Sequence, residues 1–175
     1  MRELFRLDRH DYDPAWRHSC RPSARAVIIN GEKLAMVYVS RKGYYKFPGG
    51  GINEGETPEQ ALMREAAEEA GIEIAPESVR EYGCVLRLEK SPLYPETIFE
   101  QRSLYYLCES RRNLGTQRLD EYESADGFTP VWATPQEIIR ANLSLPESMG
   151  SDFTAAQREA RVAEIIAREL MAQPK

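Results

Sequence analysis

Apolar residues along this chain come in short runs cut by glycine, proline and clustered charges, and the period changes from run to run. Residues 24–30 (Ala-Arg-Ala-Val-Ile-Ile-Asn) and 33–39 (Lys-Leu-Ala-Met-Val-Tyr-Val) are extended runs flanking Asn30-Gly31. That arrangement predicts a β-hairpin whose two central turn residues take positive φ. Residues 44–47 predict a third short strand, stopped at Pro48, and Gly49-Gly50-Gly51 opens a loop to Glu56. The period then becomes helical. Thr57 reads as an N-cap, Pro58 as the first helical residue and Gln60 as the return partner of a capping box. Leu62, Ala66 and Ala70 recur every four residues, and Gly71 is the expected left-handed stop. The stripe is alanine-rich, so this helix should pack close to the sheet.

Further on, residues 83–89 and 97–108 predict two more strands joined by a loop holding Pro92 and Pro95. Residues 110–128 read as a charged connection, 129–133 as a last strand, and Thr134-Pro135 as the start of a helix to about Ala141. Residues 143–150 read as a loop. A final helix, about 152–171, carries Val162, Ile165, Ile166 and Leu170 on one face. That face suits a homodimer interface and packing on its own domain equally. Strands bracketing a helix, with helices at the end, predict an α/β chain of the α+β type with a mixed sheet and helices on both faces.

Length and charge narrow the class. The chain has 175 residues, enough for one domain with its own core. Residues 1–175 are expected to form that single domain, with a core of about 22–142, an N-terminal arm of 1–21 and the C-terminal helix. A formal charge of −5 argues against a broad nucleic-acid surface. No run approaches the roughly 18 apolar residues of a membrane span. Residues 1–13 carry charges throughout, so neither a signal peptide nor a membrane partner is expected. Cys20, Cys84 and Cys108 form no CxxC pair and read as reduced thiols of a cytoplasmic protein.

The chemistry concentrates between Gly50 and Ile72. Glu65, Glu68 and Glu69 stand at i, i+3 and i+4, on one face of the predicted helix. Like charges so placed repel, and Arg64 and Lys46 are cations that could screen them. A divalent cation would do so better, since Mg²⁺ and Mn²⁺ favour carboxylate and carbonyl oxygens. Taken alone, the three glutamates also fit a solvated acidic helix face. The wider pattern tips the balance: Gly50, Glu56, Arg64, Glu65, Glu68, Glu69 and Gly71 stand in the spacing G-x5-E-x7-R-E-U-x-E-E-x-G-U, with U a bulky aliphatic residue. Seven identities meet by chance on the order of 10⁻⁹ times per start position at average residue usage.

This segment resembles the Nudix box of the Nudix hydrolases, with Ala66 smaller than the usual aliphatic residue there. The flanking segments 47–50 and 55–61 look like those of MutT-like members. The resemblance implies a three-layer α/β/α sandwich with a mixed β-sheet, Mg²⁺ or Mn²⁺ as cofactor, and hydrolysis of a pyrophosphate bond in a nucleoside diphosphate-X compound. It implies Glu65 and Glu69 as metal ligands, Glu68 as a third ligand or holder of the nucleophilic water, and the Gly49 carbonyl as a further ligand. Gly50, Glu56, Arg64 and Gly71 would be structural, with Glu56 and Arg64 tying the loop to the helix. Family members often add a carboxylate from outside the box. Glu123 is the first candidate for that base or ligand, followed by Glu121 and Glu100.

The partner implied is a small nucleotide or nucleoside diphosphate derivative. A nucleoside triphosphate, oxidised or not, giving the monophosphate and pyrophosphate, is the default. The markers of ADP-ribose and dinucleoside polyphosphate enzymes are out of place, with Leu88 in their neighbourhood and Pro92, Tyr94 and Pro95 several residues late. Arg25 and Lys46 are candidates for the phosphates, as is Arg41. Tyr45 and Phe47 are candidates for the rest of the substrate, with Tyr44, Tyr94, Phe99 and Trp132 as further aromatics. His10 and His18 lie outside the motif and read as bystanders. Two alternatives remain: a nucleotide-binding Nudix sensor without turnover, and an ADP-ribose or nucleotide-sugar pyrophosphatase.

Overall fold

The computed structural model describes residues 1–111 and 114–172. In chain order the strands before the first helix are β1 (Glu3–Asp8), β2 (Arg17–Cys20), β3 (Ser23–Val27), β4 (Ile29–Asn30), β5 (Lys33–Val39), β6 (Tyr44–Lys46) and β7 (Gly49–Gly51). Helix α1 (Pro58–Ala70) follows, then β8 (Arg80–Lys90) and β9 (Thr97–Leu107). The chain ends with α2 (Glu121–Asp126), β10 (Phe128–Ala133), α3 (Pro135–Leu143) and α4 (Ser151–Ile166). The last helix continues as a π-helical turn over Ala167–Met171. Among the described residues no helix is long and apolar enough to cross a membrane.

The strands form two sheets where one was expected. The larger runs β1-β8-β9-β3-β7 with β2 also paired to β9; the smaller runs β10-β5-β4 with β6 paired to β5. Both parallel (β1–β8, β2–β9, β3–β9) and antiparallel pairs occur, so the larger sheet is mixed. The run read as one strand over 24–30 changes sheet at Ile28, which divides β3 from β4. In the hairpin, Asn30 pairs with Lys33, leaving Gly31 and Glu32 as the central residues. Only Gly31 has positive φ, 58°. That geometry requires glycine at the first central position alone, so Asn30 belongs to the strand and not to the turn.

Helix α1 is built as its capping residues dictate. The Thr57 side chain accepts from the Gln60 N–H, the Gln60 side chain accepts from the Thr57 N–H, and Gly71 ends the helix at φ 61°. Its inner face (Ala61, Leu62, Ala66, Ala70) joins Ala24, Ala26, Val37 and Tyr106 in one apolar cluster. The small Ala66 is fully buried, which lets the helix lie close against β3 and β7. On the other side α4 supplies Val162, Ala163 and Ile166 to a second cluster with Phe47, Val85 and Tyr105. The apolar face of the C-terminal helix is thus spent largely on its own chain, with Leu170 left exposed. Helix α2, absent from the sequence reading, occupies part of the expected polar connection; residues 112 and 113 of that segment lie outside the described residues.

Candidate metal and catalytic centre

The box helix and the glycine strand meet without a gap. Gly50 lies so close to Glu65 that a Cβ on it would fall 2.3 Å from the Glu65 carboxylate. Glu69 is buried beneath, where its Oε2 accepts the Gly49 N–H at 3.0 Å and its Oε1 pairs with the Lys46 ammonium. Lys46 in turn lies 4.6 Å over the ring of Phe128. Arg64 ties the loop to the helix. It grips both oxygens of Glu56 (2.8 and 2.9 Å) and reaches Glu65 at 2.7 Å, Glu68 at 3.2 Å and the Gly51 carbonyl at 3.1 Å.

The third carboxylate arrives from far along the chain. The carbonyls at the C-terminal end of α1 are taken by residues that follow β9: Ala70 by the Gly115 N–H (3.1 Å), Glu68 by the Arg118 N–H (2.8 Å) and Glu69 by the Gln117 amide. A helix end leaves such carbonyls unpaired, so the segment docks there. Gly71 and Gly115 touch, and a Cβ on Gly71 would lie 2.3 Å from the Gly115 backbone. The docked segment leads into α2, capped by Asp120 and Glu123 in a second capping box and ended by Gly127 at φ 71°. Glu123 thereby reaches the box: one oxygen each of Glu65, Glu69 and Glu123 lie within 4.8 Å of one another. Its Oε2 accepts from the Asp120 N–H at 3.0 Å, leaving the other oxygen for a ligand.

Other candidates stand elsewhere. Glu68 is outside the cluster, half-exposed and turned toward Arg64. Glu121 is exposed at the start of α2, and Glu100 on β9 pairs with His18 at 2.6 Å. Phe47, expected to meet substrate, is fully buried and packs edge-on to Tyr105 at 5.6 Å. Tyr45 alternates with Lys46 along β6 and so faces away from Glu69. Its ring meets that of Tyr38 at 4.8 Å, tilted by 44°, and its backbone is held by the Asn142 amide. Arg25 is buried and donates to the carbonyls of Phe47 and Gly49, so it braces the glycine strand and is not free for phosphate. A cation on the Gly49 carbonyl would share that oxygen with Arg25. Of the other aromatics, Tyr44 is buried, Phe99 lies 5.4 Å from the Arg87 guanidinium, and Tyr94 is exposed on a loop.

Three converging carboxylates, all hard oxygen donors, fit Mg²⁺ or Mn²⁺ better than a soft-ligand metal. Their electrostatics agree. Burial raises the Glu65 carboxyl above its ordinary value, a rise the Arg64 hydrogen bond opposes and the Glu69 charge supports. Burial likewise raises Glu123, with the Asp120 N–H opposing and the Glu69 charge adding. A carboxyl raised in the folded chain contributes stability that is complete below its unfolded value and is lost as pH rises through the folded one. In EDTA, mild acidification from neutral pH should therefore stabilise the protein through these two groups, and Glu123→Gln should gain less. Thermal melts across that interval check this; equal gains in the two proteins would contradict it.

The Nudix domain profile matches residues 20–153, and the chain belongs to that family. Among curated relatives, an RNA pyrophosphohydrolase of Hydrogenovibrio crunogenus is 29% identical over 139 residues, 71% of this chain and 82% of that protein. One of Actinobacillus succinogenes is 49% identical over 55 residues, an alignment spanning 30% of this chain and 27% of that protein. Nudix hydrolase 25 of Arabidopsis thaliana is 27% identical over 132 residues, 68% of this chain and 75% of that protein. The fold matches the MutT mutator protein of Bacillus halodurans at a TM-score of 0.53 and 16% identity, over 69% of this chain and 72% of that one. It also matches the ORF135 protein of E. coli at 0.52 and 21%, over 87% and 96%.

Proposed function

We propose that this Nudix protein is a divalent-metal-dependent pyrophosphohydrolase. A water oxygen bonds to phosphorus, the bridging P–O bond breaks, and the bridging oxygen leaves with the other phosphate. The observation that carries this is the approach of Glu65, Glu69 and Glu123 to within 4.8 Å beside an intact Nudix box. These three residues would hold Mg²⁺ or Mn²⁺, which when bound neutralises phosphate charge and acidifies water. Lys46, paired with Glu69 beside them, would meet a phosphate oxygen once a cation engages Glu69. Arg64 holds Glu65 and the loop in register. Glu68 pairs with Arg64 at 3.2 Å outside the cluster, and in this reading it turns from Arg64 to hold the attacking water.

The substrate reading is a nucleoside triphosphate, cleaved to the monophosphate and pyrophosphate. The relatives that are named RNA pyrophosphohydrolases support a second reading, the 5′-di- or triphosphate of an RNA chain, while the net charge of −5 weighs against an extended RNA surface. A release assay for phosphate and pyrophosphate with Mg²⁺ or Mn²⁺ separates them. Its panel would hold nucleoside triphosphates, oxidised dGTP, ADP-ribose, nucleotide sugars and a 5′-triphosphorylated oligoribonucleotide. Nucleoside triphosphate turnover that EDTA abolishes is the expected result. Preference for the oligoribonucleotide would establish the second reading. No release on any substrate, with nucleotides still raising the melting temperature, would leave a sensor instead.

A further inference from the structure

Helix α2 has six residues, less than two turns, and is too short to hold its own orientation. Yet the direction of Glu123 depends on that orientation. Lys42, in the turn between β5 and β6, contacts α2 from outside at two points. Its ammonium lies 2.8 Å from Asp126 Oδ2 and 3.2 Å from the Tyr122 hydroxyl. The same Nζ sits 5.3 Å over the Tyr122 ring. Tyr122 and Asp126 are four residues apart and so share one face of α2, with Glu123 next to the first of them. The ammonium also reaches Asp152 Oδ2 at 3.2 Å, in the first turn of α4.

Neighbouring contacts make the turn and α2 one unit. The Ser40 N–H donates to the Gly127 carbonyl and the Arg41 N–H to the Asp126 carbonyl, each at 3.2 Å. Gly127 approaches Ser40 so closely that a Cβ there would lie 2.1 Å from its hydroxyl. The Tyr122 ring meets Phe128 edge-on at 6.4 Å, and Phe128 is the ring beneath Lys46. Lys42 is only one-fifth exposed, and two carboxylates and a phenol from two helices converge on it. A lysine that merely solubilised a turn would point to water.

We infer that Lys42 is a positioning residue for the metal centre. It fixes the rotation of α2 so that Glu123 meets Glu65 and Glu69, and it anchors that setting to α4 through Asp152. The inference rests on the proposed role of Glu123 as a ligand and goes beyond it by naming what aims that ligand. Lys42 makes no contact with the carboxylate cluster itself; it meets Tyr122 and Asp126 on α2, so it acts on Glu123 by way of that helix.

The test is Mn²⁺ binding to the purified full chain, read from the paramagnetic signal of free Mn²⁺ without substrate. The proteins are wild type, Lys42→Met, Lys42→Arg, Glu123→Gln and the Lys42→Met/Glu123→Gln double variant. Lys42→Met should weaken Mn²⁺ about 10-fold, at the low end of what the loss of a ligand's supporting partner costs. Lys42→Arg, which keeps charge and donors, should stay within about 3-fold of wild type. In the Glu123→Gln background the Lys42→Met change should shrink to less than about 2-fold, because the aimed group is gone. A purely structural lysine would produce the same loss in both backgrounds, and that result, or unchanged affinity in Lys42→Met, overturns the inference. If Glu123→Gln itself leaves Mn²⁺ binding untouched, it is the ligand role of Glu123 that fails. Should Lys42→Met not fold, Asp152→Asn keeps the question open to measurement. Loosening the α4 anchor should weaken Mn²⁺ about 3-fold, and unchanged affinity there counts against the anchor.

Discussion

Glu69→Gln is expected to remove nearly all turnover, on the order of 10³-fold in kcat, while the protein stays folded. Glu69 is the most buried member of the carboxylate cluster, and its two oxygens serve different partners: Lys46 on one side and the Gly49 N–H on the other. Glutamine keeps the shape but offers one acceptor where two donors point, so one donor loses its partner. It also removes a negative charge standing beside Glu65 and Glu123, which relieves repulsion. These two effects oppose, and the melting temperature in EDTA should move by only a few degrees, the shift that about 1 kcal/mol brings in a chain of this size. What does not balance is cation binding, which needs the ionised group. Melting curves should show the Mg²⁺-induced rise of wild type lost in the variant. A Glu69→Gln protein with a tenth or more of wild-type kcat would sink the assignment.

Arg64→Ala is expected to cost about 100-fold in kcat/KM, and Arg64→Lys to recover little of it. One guanidinium satisfies Glu56, Glu65, Glu68 and the Gly51 carbonyl together. An ammonium is a point charge and cannot reproduce that planar fork. Without it the 51–57 loop is no longer tied to α1, and Glu65 loses the hydrogen bond that opposes its burial. A displacement of about 1 Å at the reacting centre is enough for the loss stated. The pair also leaves a signature in acid. Arg64, followed by the Asn53 N–H, holds the Glu56 carboxyl down to about 2, well below its ordinary 4.5. A depressed carboxyl contributes stability that is present above 4.5 and is lost as pH falls toward 2. Acid unfolding of wild type should contain that component, and Arg64→Ala should keep only the smaller part that the Asn53 N–H supplies. Full activity in Arg64→Lys would show that charge alone suffices.

The residues whose roles were legible in the sequence are those whose partners lie within a turn or two of helix. Thr57 and Gln60 cap α1 across three residues, Gly71 ends it, and Glu65 and Glu69 share a face because a helix repeats every 3.6 residues. Glu56 and Arg64 pair across eight residues by way of the same cap. Helix α2 was spelled out too, in Asp120-x-x-Glu123 and Gly127, but its few apolar positions hid it inside a charged connection. Register and side-chain alternation in β6 account for Tyr45 facing away from Lys46, which no local signal reported.

The sequence by itself determined the box helix, its caps and the carboxylates aligned along it, since local geometry needs only spacing. Tertiary structure decided which distant carboxylate completes the cluster. Glu123 rather than Glu121 or Glu100 arrives there because the chain after β9 pairs with the open carbonyls of α1, Gly71 and Gly115 permit the contact, and Lys42 meets the far side of α2. It also decided that Arg25 and Phe47 serve the interior. Arg25 lies on β3 beside the glycine strand and Phe47 in the link just before it, where burial of a ring and bracing of two carbonyls outweigh exposure to a ligand. Such choices depend on packing between residues tens of positions apart, and the spacing of residue types carries no record of it.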